Sequence, residues 1–296
     1  MGDPAGPIVV GVDGTFAARH AARWSGGLAS RLGCTLQIVH AIPVLGHLLI
    51  RAGAVHNPEI VEAQHAAAQS IVDTAAAAVR NDHPGLEVTT TVLEESIDDA
   101  MKMMSRHARL LVVGCDDVSP AEALLVGSLT LDLAAHANCP VAAWRGEALD
   151  PTRQPIVIGV DLAGGGAAAL ELAFVLADAL EAPVRAVHAW SMRVPPGEDS
   201  VPLLIDWTAL ETLLTEEITR ALEPHRQRHP GVEVSIHVDL SSPRRALLQH
   251  ASDAQMVIVG SRGRARLATV LGSTSLNMLH HAPVPVLVCP PEPDDG

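Results

Sequence analysis

Lysine is almost missing from this chain. Of 20 basic residues in 296, only Lys102 is a lysine. A Walker-type phosphate loop needs a lysine to reach the outer phosphates, so that way of holding a nucleotide is excluded. Schiff-base chemistry loses nearly all its scope for the same reason. Aromatic residues make up 2% of the chain and tyrosine is absent, which leaves no platform for stacking nucleic-acid bases. Acidic residues number 34 and the net charge is −14, so binding to nucleic acid by neutralising phosphates is not expected. The four cysteines, Cys34, Cys115, Cys139 and Cys289, form no Cys-x-x-Cys pair and no zinc spacing. They read as reduced, mostly buried thiols. No stretch approaches the ~20 apolar residues that span a bilayer. Met1-Gly2-Asp3-Pro4 lacks the basic and apolar regions of a signal peptide, and Gly6 stands where a myristoylation signal needs Ser or Thr. A cytoplasmic protein with no membrane partner is expected.

What the chain does have is apolar material, 48% of residues with a mean hydropathy of +0.24, and a length that suits two domains. It is also written twice. Ile8-Val9-Val10-Gly11-Val12-Asp13 recurs as Ile156-Val157-Ile158-Gly159-Val160-Asp161, an offset of 148 that also carries Val39-His40-Ala41 onto Val187-His188-Ala189. His83-Pro84-Gly85 returns as His229-Pro230-Gly231 at an offset of 146, and Leu111-Val112-Val113-Gly114 as Val257-Ile258-Val259-Gly260. Gly127-Ser128 and Pro140-Val141 return as Gly272-Ser273 and Pro285-Val286 at an offset of 145. An ordered series with small drifts implies duplication, into residues 1–148 and 149–296. The joint falls near 146–155, where proline and charge break the apolar pattern.

In the first half, apolar runs near 7–12, 35–41, 86–93, 110–114 and 140–145 read as buried strands. Between them, 17–32, 58–82, 96–107 and 126–136 carry the 3.6-residue spacing of helices that cover a sheet. Pro58 and His83-Pro84-Gly85 punctuate the second helix at its start and end. The second half repeats the scheme. The fold class is α/β, two tandem doubly wound sheets of five parallel strands flanked by helices. Ligands of such sheets bind beyond the carboxyl ends of the strands at the switch point. The loops to inspect follow Asp13 and Gly114, and Asp161 and Gly260.

Those loops carry glycines and hydroxyls. Gly114-Cys115-Asp116-Asp117 leads to Gly127-Ser128-Leu129-Thr130, and Gly260-Ser261-Arg262-Gly263 leads to Gly272-Ser273-Thr274-Ser275. Glycine lets main chain approach phosphates, and a helix N-terminus offers unpaired N–H groups. Asp13 and Asp161 could accept from ribose hydroxyls. A lone Gly-Ser before a helix is ordinarily just a cap; the doubled constellation at the switch point is more specific.

On these motifs, over nearly its whole length, the chain resembles the universal stress protein family in its tandem form. The resemblance implies an adenine-nucleotide-hydrolase-like fold and ATP, with or without magnesium, as the ligand. ATP-binding members carry Gly-x2-Gly-x9-Gly-Ser/Thr. The resemblance then implies Asp13, Ala41, Gly114, Gly127, Ser128 and Thr130 in the first half. In the second it implies Asp161, Ala189, Gly260, Gly263, Gly272, Ser273 and Ser275. The aspartate and first glycine would hold ribose, the second glycine and Gly-Ser the phosphates, and the alanine the adenine.

Each half departs from the pattern differently. The first keeps nine residues before Gly127 but has Asp117 at the second glycine. A carboxylate ~4 Å from a phosphate repels it by ~1 to ~4 kcal/mol, depending on screening. The second keeps Gly260 and Gly263 but has eight residues before Gly272, and adds Arg262, Arg264 and Arg266. The second site is therefore expected to bind ATP more tightly. The resemblance also implies pairing of the two halves through their last strands, about a pseudo-two-fold axis, with a homodimer of the whole chain as a further step.

No Ser-His-Asp order, paired-carboxylate motif or nucleophile elbow appears, so no enzyme is expected, or at most slow ATP hydrolysis. The rival reading is a nucleotide-independent scaffold with both sites degenerate. An unidentified protein partner would be read by loops 43–57 and 191–206, which differ between halves. His40 and His188 read as packing and hydrogen-bonding residues beside the pocket. Cys115 reads as an inert thiol, and Trp190 as packing close enough to the second adenine pocket to report on it. His225 and His229 have metal-ligand spacing but no glutamate between them, and read as exposed surface.

Overall fold

The computed structural model describes residues 3, 5–42, 58–115, 127–162, 164, 166–190, 206–261 and 271–291. In the first half the strands are β1 (Ile8–Gly11), β2 (Leu36–Ala41), β3 (Val88–Leu93), β4 (Leu110–Gly114) and β5 (Val141–Trp144). Its helices are α1 (Phe16–Leu32), α2 (Pro58–Asp82), α3 (Ile97–Met104) and α4 (Ser128–His136). The second half repeats the order with β6 (Ile156–Gly159), α5 (Ala167–Leu180), β7 (Val184–Ala189), α6 (Trp207–Arg228) and β8 (Val234–Asp239). It continues through α7 (Pro243–Ala251), β9 (Met256–Gly260), α8 (Ser273–His281) and β10 (Val286–Cys289).

The two five-stranded sheets are joined. One ten-stranded sheet runs β3-β2-β1-β4-β5-β10-β9-β6-β7-β8. Within each half every pair is parallel, whereas β5 and β10 pair antiparallel, with Val286 opposite Ala143 and Val288 opposite Val141. The strands of the two halves therefore point opposite ways, and their carboxyl ends lie at opposite ends of the sheet.

Helices cover both faces, which is why β1, β4, β6 and β9 are almost unbroken runs of buried apolar residues. Under α1, α2, α5 and α6 a single apolar cluster, including Trp24 and Phe174, runs through both halves. Smaller clusters fill the other face, one in the first half under α3 and α4 and one mainly under α7 and α8.

Two helix ends differ from the periodicity. α3 stops at Met104, because buried Ser105 turns its hydroxyl back onto Lys102 O at 2.6 Å while accepting from Asn138 N at 2.9 Å. α4 begins at Ser128, with Gly127 as its extended cap. The lone lysine belongs to the scaffold: Lys102 Nζ lies 2.5 Å from Asp132 Oδ2 and ties α3 to α4.

His225 and His229 correct the sequence reading, because both turn inward. His225 is 8% exposed, stacks on Phe174 at 5.4 Å and meets Glu171 Oε2 at 3.1 Å. Burial holds its imidazole below the ordinary range, although the Glu171 carboxylate opposes that shift. His229 pairs with Asp178 at 3.0 Å. The spacing that suggested a ligand pair instead places both rings on the side of α6 that meets α5.

The duplicated helix pairs carry opposite signs. Arg23 Nε on α1 meets Asp82 Oδ2 on α2 at 2.6 Å. At corresponding positions Glu171 on α5 meets Arg228 on α6 at 2.6 Å. Docking α2 or α6 on the other half's first helix would set like charges face to face.

Between the halves, Arg145 reaches from the end of β5 to the carboxyl end of α8. Its guanidinium donates to Ala282 O at 3.2 Å and to Leu279 O. The corresponding position in the second half is Pro290, which cannot return the contact. Two helix-terminal carbonyls thus depend on one side chain from the other half. Replacing Arg145 with Met should lower the unfolding free energy by about 1–3 kcal/mol, read as a fall in urea midpoint, with partial recovery in Arg145→Lys.

Candidate functional site

The site in each half lies where the strand order reverses. β1 sits between β2 and β4, so the chain leaves β1 toward α1 on one face, while β4 leads on to α4 on the other. Gly11 lies opposite both Val39 and Val113, which brings the ends of β1, β2 and β4 together. Asp13, Ala41 and Gly114 therefore emerge at one end of the sheet. The same pairing around β6 gathers Asp161, Ala189 and Gly260 at the other.

Beyond β1 the turn is set by local chemistry. The exposed Asp13 carboxylate accepts from Thr15 N at 2.9 Å, and Gly14 adopts φ +85°, a left-handed conformation that side chains resist. Thr15 then caps α1 by accepting from Ala18 N at 3.2 Å. A histidine on the neighbouring strand anchors each turn. His40 Nδ1 lies 2.7 Å from Val12 O, and His188 Nδ1 lies 2.9 Å from Val160 O. A carbonyl can only accept, so Nδ1 carries the proton in both. The repeated histidines hold the residue just before each aspartate.

Gly114 has a role the motif did not supply. A Cβ there would fall 2.6–2.7 Å from main-chain atoms of Ala17 and Ala18. Its missing side chain lets the first turn of α1 close onto the end of β4. Gly127 is different, since a Cβ there meets nothing within 4 Å.

α4 and α8 follow the cap residues Gly127 and Gly272, neither of which supplies a side-chain cap, so among the described residues their first-turn N–H groups have no side-chain acceptor. Ser128 and Ser273 stand exposed at the first helical position. Thr130 and Ser275 lie two residues further in and are buried, at 4% and 2% exposure. Ser275 Oγ donates to Gly260 O at 2.5 Å, and Thr130 Oγ1 lies 3.6 Å from Cys115 Sγ. Each hydroxyl ties its helix back to the end of the fourth strand of its half.

Ser261 was missed by the sequence reading, although the repeat aligns it with Cys115. Its N–H donates to Cys289 O at 2.7 Å, and its carbonyl accepts from Gly272 N at 2.7 Å. The loop after β9 is thereby pinned both to β10 and to the cap of α8. Ser261 itself is 2% exposed, and its hydroxyl has no hydrogen-bond partner among the described residues. In the first half Cys115 N–H makes the matching bond to Trp144 O at 2.8 Å.

Gly263, Asp117, Arg262, Arg264 and Arg266 lie outside the described residues, as do loops 43–57 and 191–205. Cys139 and Cys289 are buried, and burial pushes both thiols up, that of Cys139 to about 12. Among the described residues no group of three or more His, Cys, Asp or Glu could hold a metal ion, and no helix is long and apolar enough to cross a membrane.

The model of the universal stress protein family matches residues 5–145 and 152–290, once in each half. A universal stress protein of Mycobacterium tuberculosis strain H37Rv is 30% identical over 293 residues, covering 95% of each chain. A universal stress protein of Mycolicibacterium smegmatis is 29% identical over 291 residues, covering 96% of this chain and 97% of its own. A solved universal stress protein from Archaeoglobus fulgidus matches with a TM-score of 0.69 over 99% of this chain and 98% of its own. At 17% identity that likeness speaks for the fold alone.

The two glycines make opposite demands. Gly114→Ala should cost about 1–3 kcal/mol of stability because the methyl meets main chain that cannot move aside cheaply. Gly127→Ala should cost less than about 1 kcal/mol. Urea unfolding of both variants checks this.

Proposed function

The chain belongs to the universal stress protein family, and we propose that it is an ATP-binding regulatory protein of a stress response. It carries no dedicated catalytic machinery and hydrolyses ATP slowly or not at all. The observation that carries the reading is the second site. There a loop pinned at Ser261, a buried hydroxyl without a partner among the described residues and a start of α8 without a side-chain cap adjoin the end of β9.

These residues fit a nucleotide. The main-chain N–H groups of Ser273 and its neighbours would face phosphate oxygens, and the positive end of α8 favours their charge. Ser261 and Ser273 would supply hydroxyls, and Asp161 would accept from ribose. The bound nucleotide supplies a state the protein can sense, loaded or empty. Magnesium would arrive with the phosphates, since it keeps most of its water and needs few protein ligands.

The second site is the tighter of the two in this reading. Asp117 brings negative charge to the first phosphate loop, whereas Arg262, Arg264 and Arg266 bring positive charge to the second. The halves act in one monomeric sheet, and a homodimer of whole chains is a further step of assembly. Work in the cytoplasm suits the reading.

Calorimetric titration with ATP tests it. Asp161→Ala should weaken the tighter binding phase about tenfold or more, the worth of a charge-assisted hydrogen bond. Asp13→Ala should leave that phase within about twofold. Equal losses, or a loss only in Asp13→Ala, would contradict the assignment; no binding phase in the unaltered protein would favour the scaffold reading.

A further inference from the structure

We propose that Trp190 and Trp207 form an aromatic wall that makes the second site selective for the base of a purine nucleotide. The inference rests on the nucleotide-binding reading and deepens it by naming what recognises the base.

The chain has four tryptophans and two phenylalanines, so a pair of indoles in contact is a large share of its aromatic surface. Trp190 directly follows Ala189, the last residue of β7. Its N–H donates to Asp239 O at 2.9 Å, extending the pairing with β8 by one residue and fixing where the side chain leaves the sheet. Strand alternation sets Trp190 on the face of Val184 and Ala186, which pack in the core under α5 and α6. Trp207 is the first residue of α6, and Asp206 fixes that start by accepting from Ala209 N at 3.0 Å. The two rings meet edge to face, with centroids 5.3 Å apart and planes at 67°.

Trp207 thus stands on a helix and Trp190 is held just beyond β7 by its main-chain bond to Asp239, both at the end of the sheet where Asp161 and Gly260 emerge. Trp207 remains 37% exposed and Trp190 is half-buried, so the pair is not consumed by the core. The first half has no equivalent: the repeat offsets put Ile42 and Val61 at these positions, and Ile42 is buried. Indole faces stack on planar heteroaromatic rings and offer no favourable face to an anionic phosphate. A purine offers the larger stacking area. Phosphate recognition at α8 and base recognition at the tryptophans are then separate contributions from separate elements.

The separation makes the test clean. Full-length protein is titrated with ATP, CTP and inorganic tripolyphosphate by calorimetry, with tryptophan emission followed in parallel. Trp207→Leu should weaken ATP binding at the tighter site about tenfold and leave tripolyphosphate unchanged. ATP should quench emission in the unaltered protein more than in the variant, and CTP should bind several-fold more weakly than ATP. Trp190→Leu should act in the same direction; Trp207, on the surface, keeps the test readable if Trp190→Leu fails to fold. ATP affinity in Trp207→Leu within about twofold of the unaltered protein, or an equal loss for tripolyphosphate, overturns the aromatic role while leaving nucleotide binding intact. Binding of neither ATP nor tripolyphosphate by the unaltered protein overturns both.

Discussion

The antiparallel pairing of β5 with β10 sets the plan of the whole molecule. Each half alone would end in a four-residue edge strand, Val141–Trp144 or Val286–Cys289, buried along its length and with main-chain groups unpaired on one side. Such an edge invites pairing with another chain. Joining the two edges satisfies both and makes both strands interior. It also explains why these strands are uniformly apolar, since helices of both halves cover them. The same pairing reverses strand direction at the joint, so the two switch points open at opposite ends of the sheet. Each switch point thus gathers its strand ends from its own half.

That arrangement left the copies free to diverge under one backbone. Cys115 with Trp144 in one half stands against Ser261 with Cys289 in the other. The ion pair between the first two helices survives with its signs exchanged, Arg23–Asp82 against Glu171–Arg228. Arg145, which crosses the joint to a helix end, has proline at its counterpart. What both copies keep is the machinery that positions the site: the histidine bonded to the carbonyl before the aspartate, and the hydroxyl tying the last helix to the fourth strand. Those contacts shape the loop ends whatever occupies them.

The strands and helices were legible in the sequence because a sheet buried on both faces demands unbroken apolar runs, and its helices demand a 3.6-residue stripe. The repeat made the duplicated architecture legible as well. Four features lay beyond a linear reading. The inward turn of His225 depends on Phe174 and Glu171, more than fifty residues away. Gly114 was read for its ligand, yet its lack of a side chain answers to the main chain of α1, a tertiary contact no local pattern reveals. Ser261 showed itself only through two main-chain bonds that pin it and one that its hydroxyl does not make among the described residues. Trp207 gained meaning from Trp190, which lies across a loop in sequence but beside it in space.

In the proposed function the fold holds adenine nucleotide through main chain and hydroxyls, without the missing lysine. Its most direct test is to purify the full chain without added nucleotide, denature it, and identify what is released by mass spectrometry, alongside thermal unfolding with millimolar ATP. A ligand that binds only the folded state at 100 times its Kd adds about 2.7 kcal/mol of stability. Released adenine nucleotide and a raised midpoint of unfolding are the expected results. Release of no adenine nucleotide, with no shift at millimolar ATP, would contradict the proposed function.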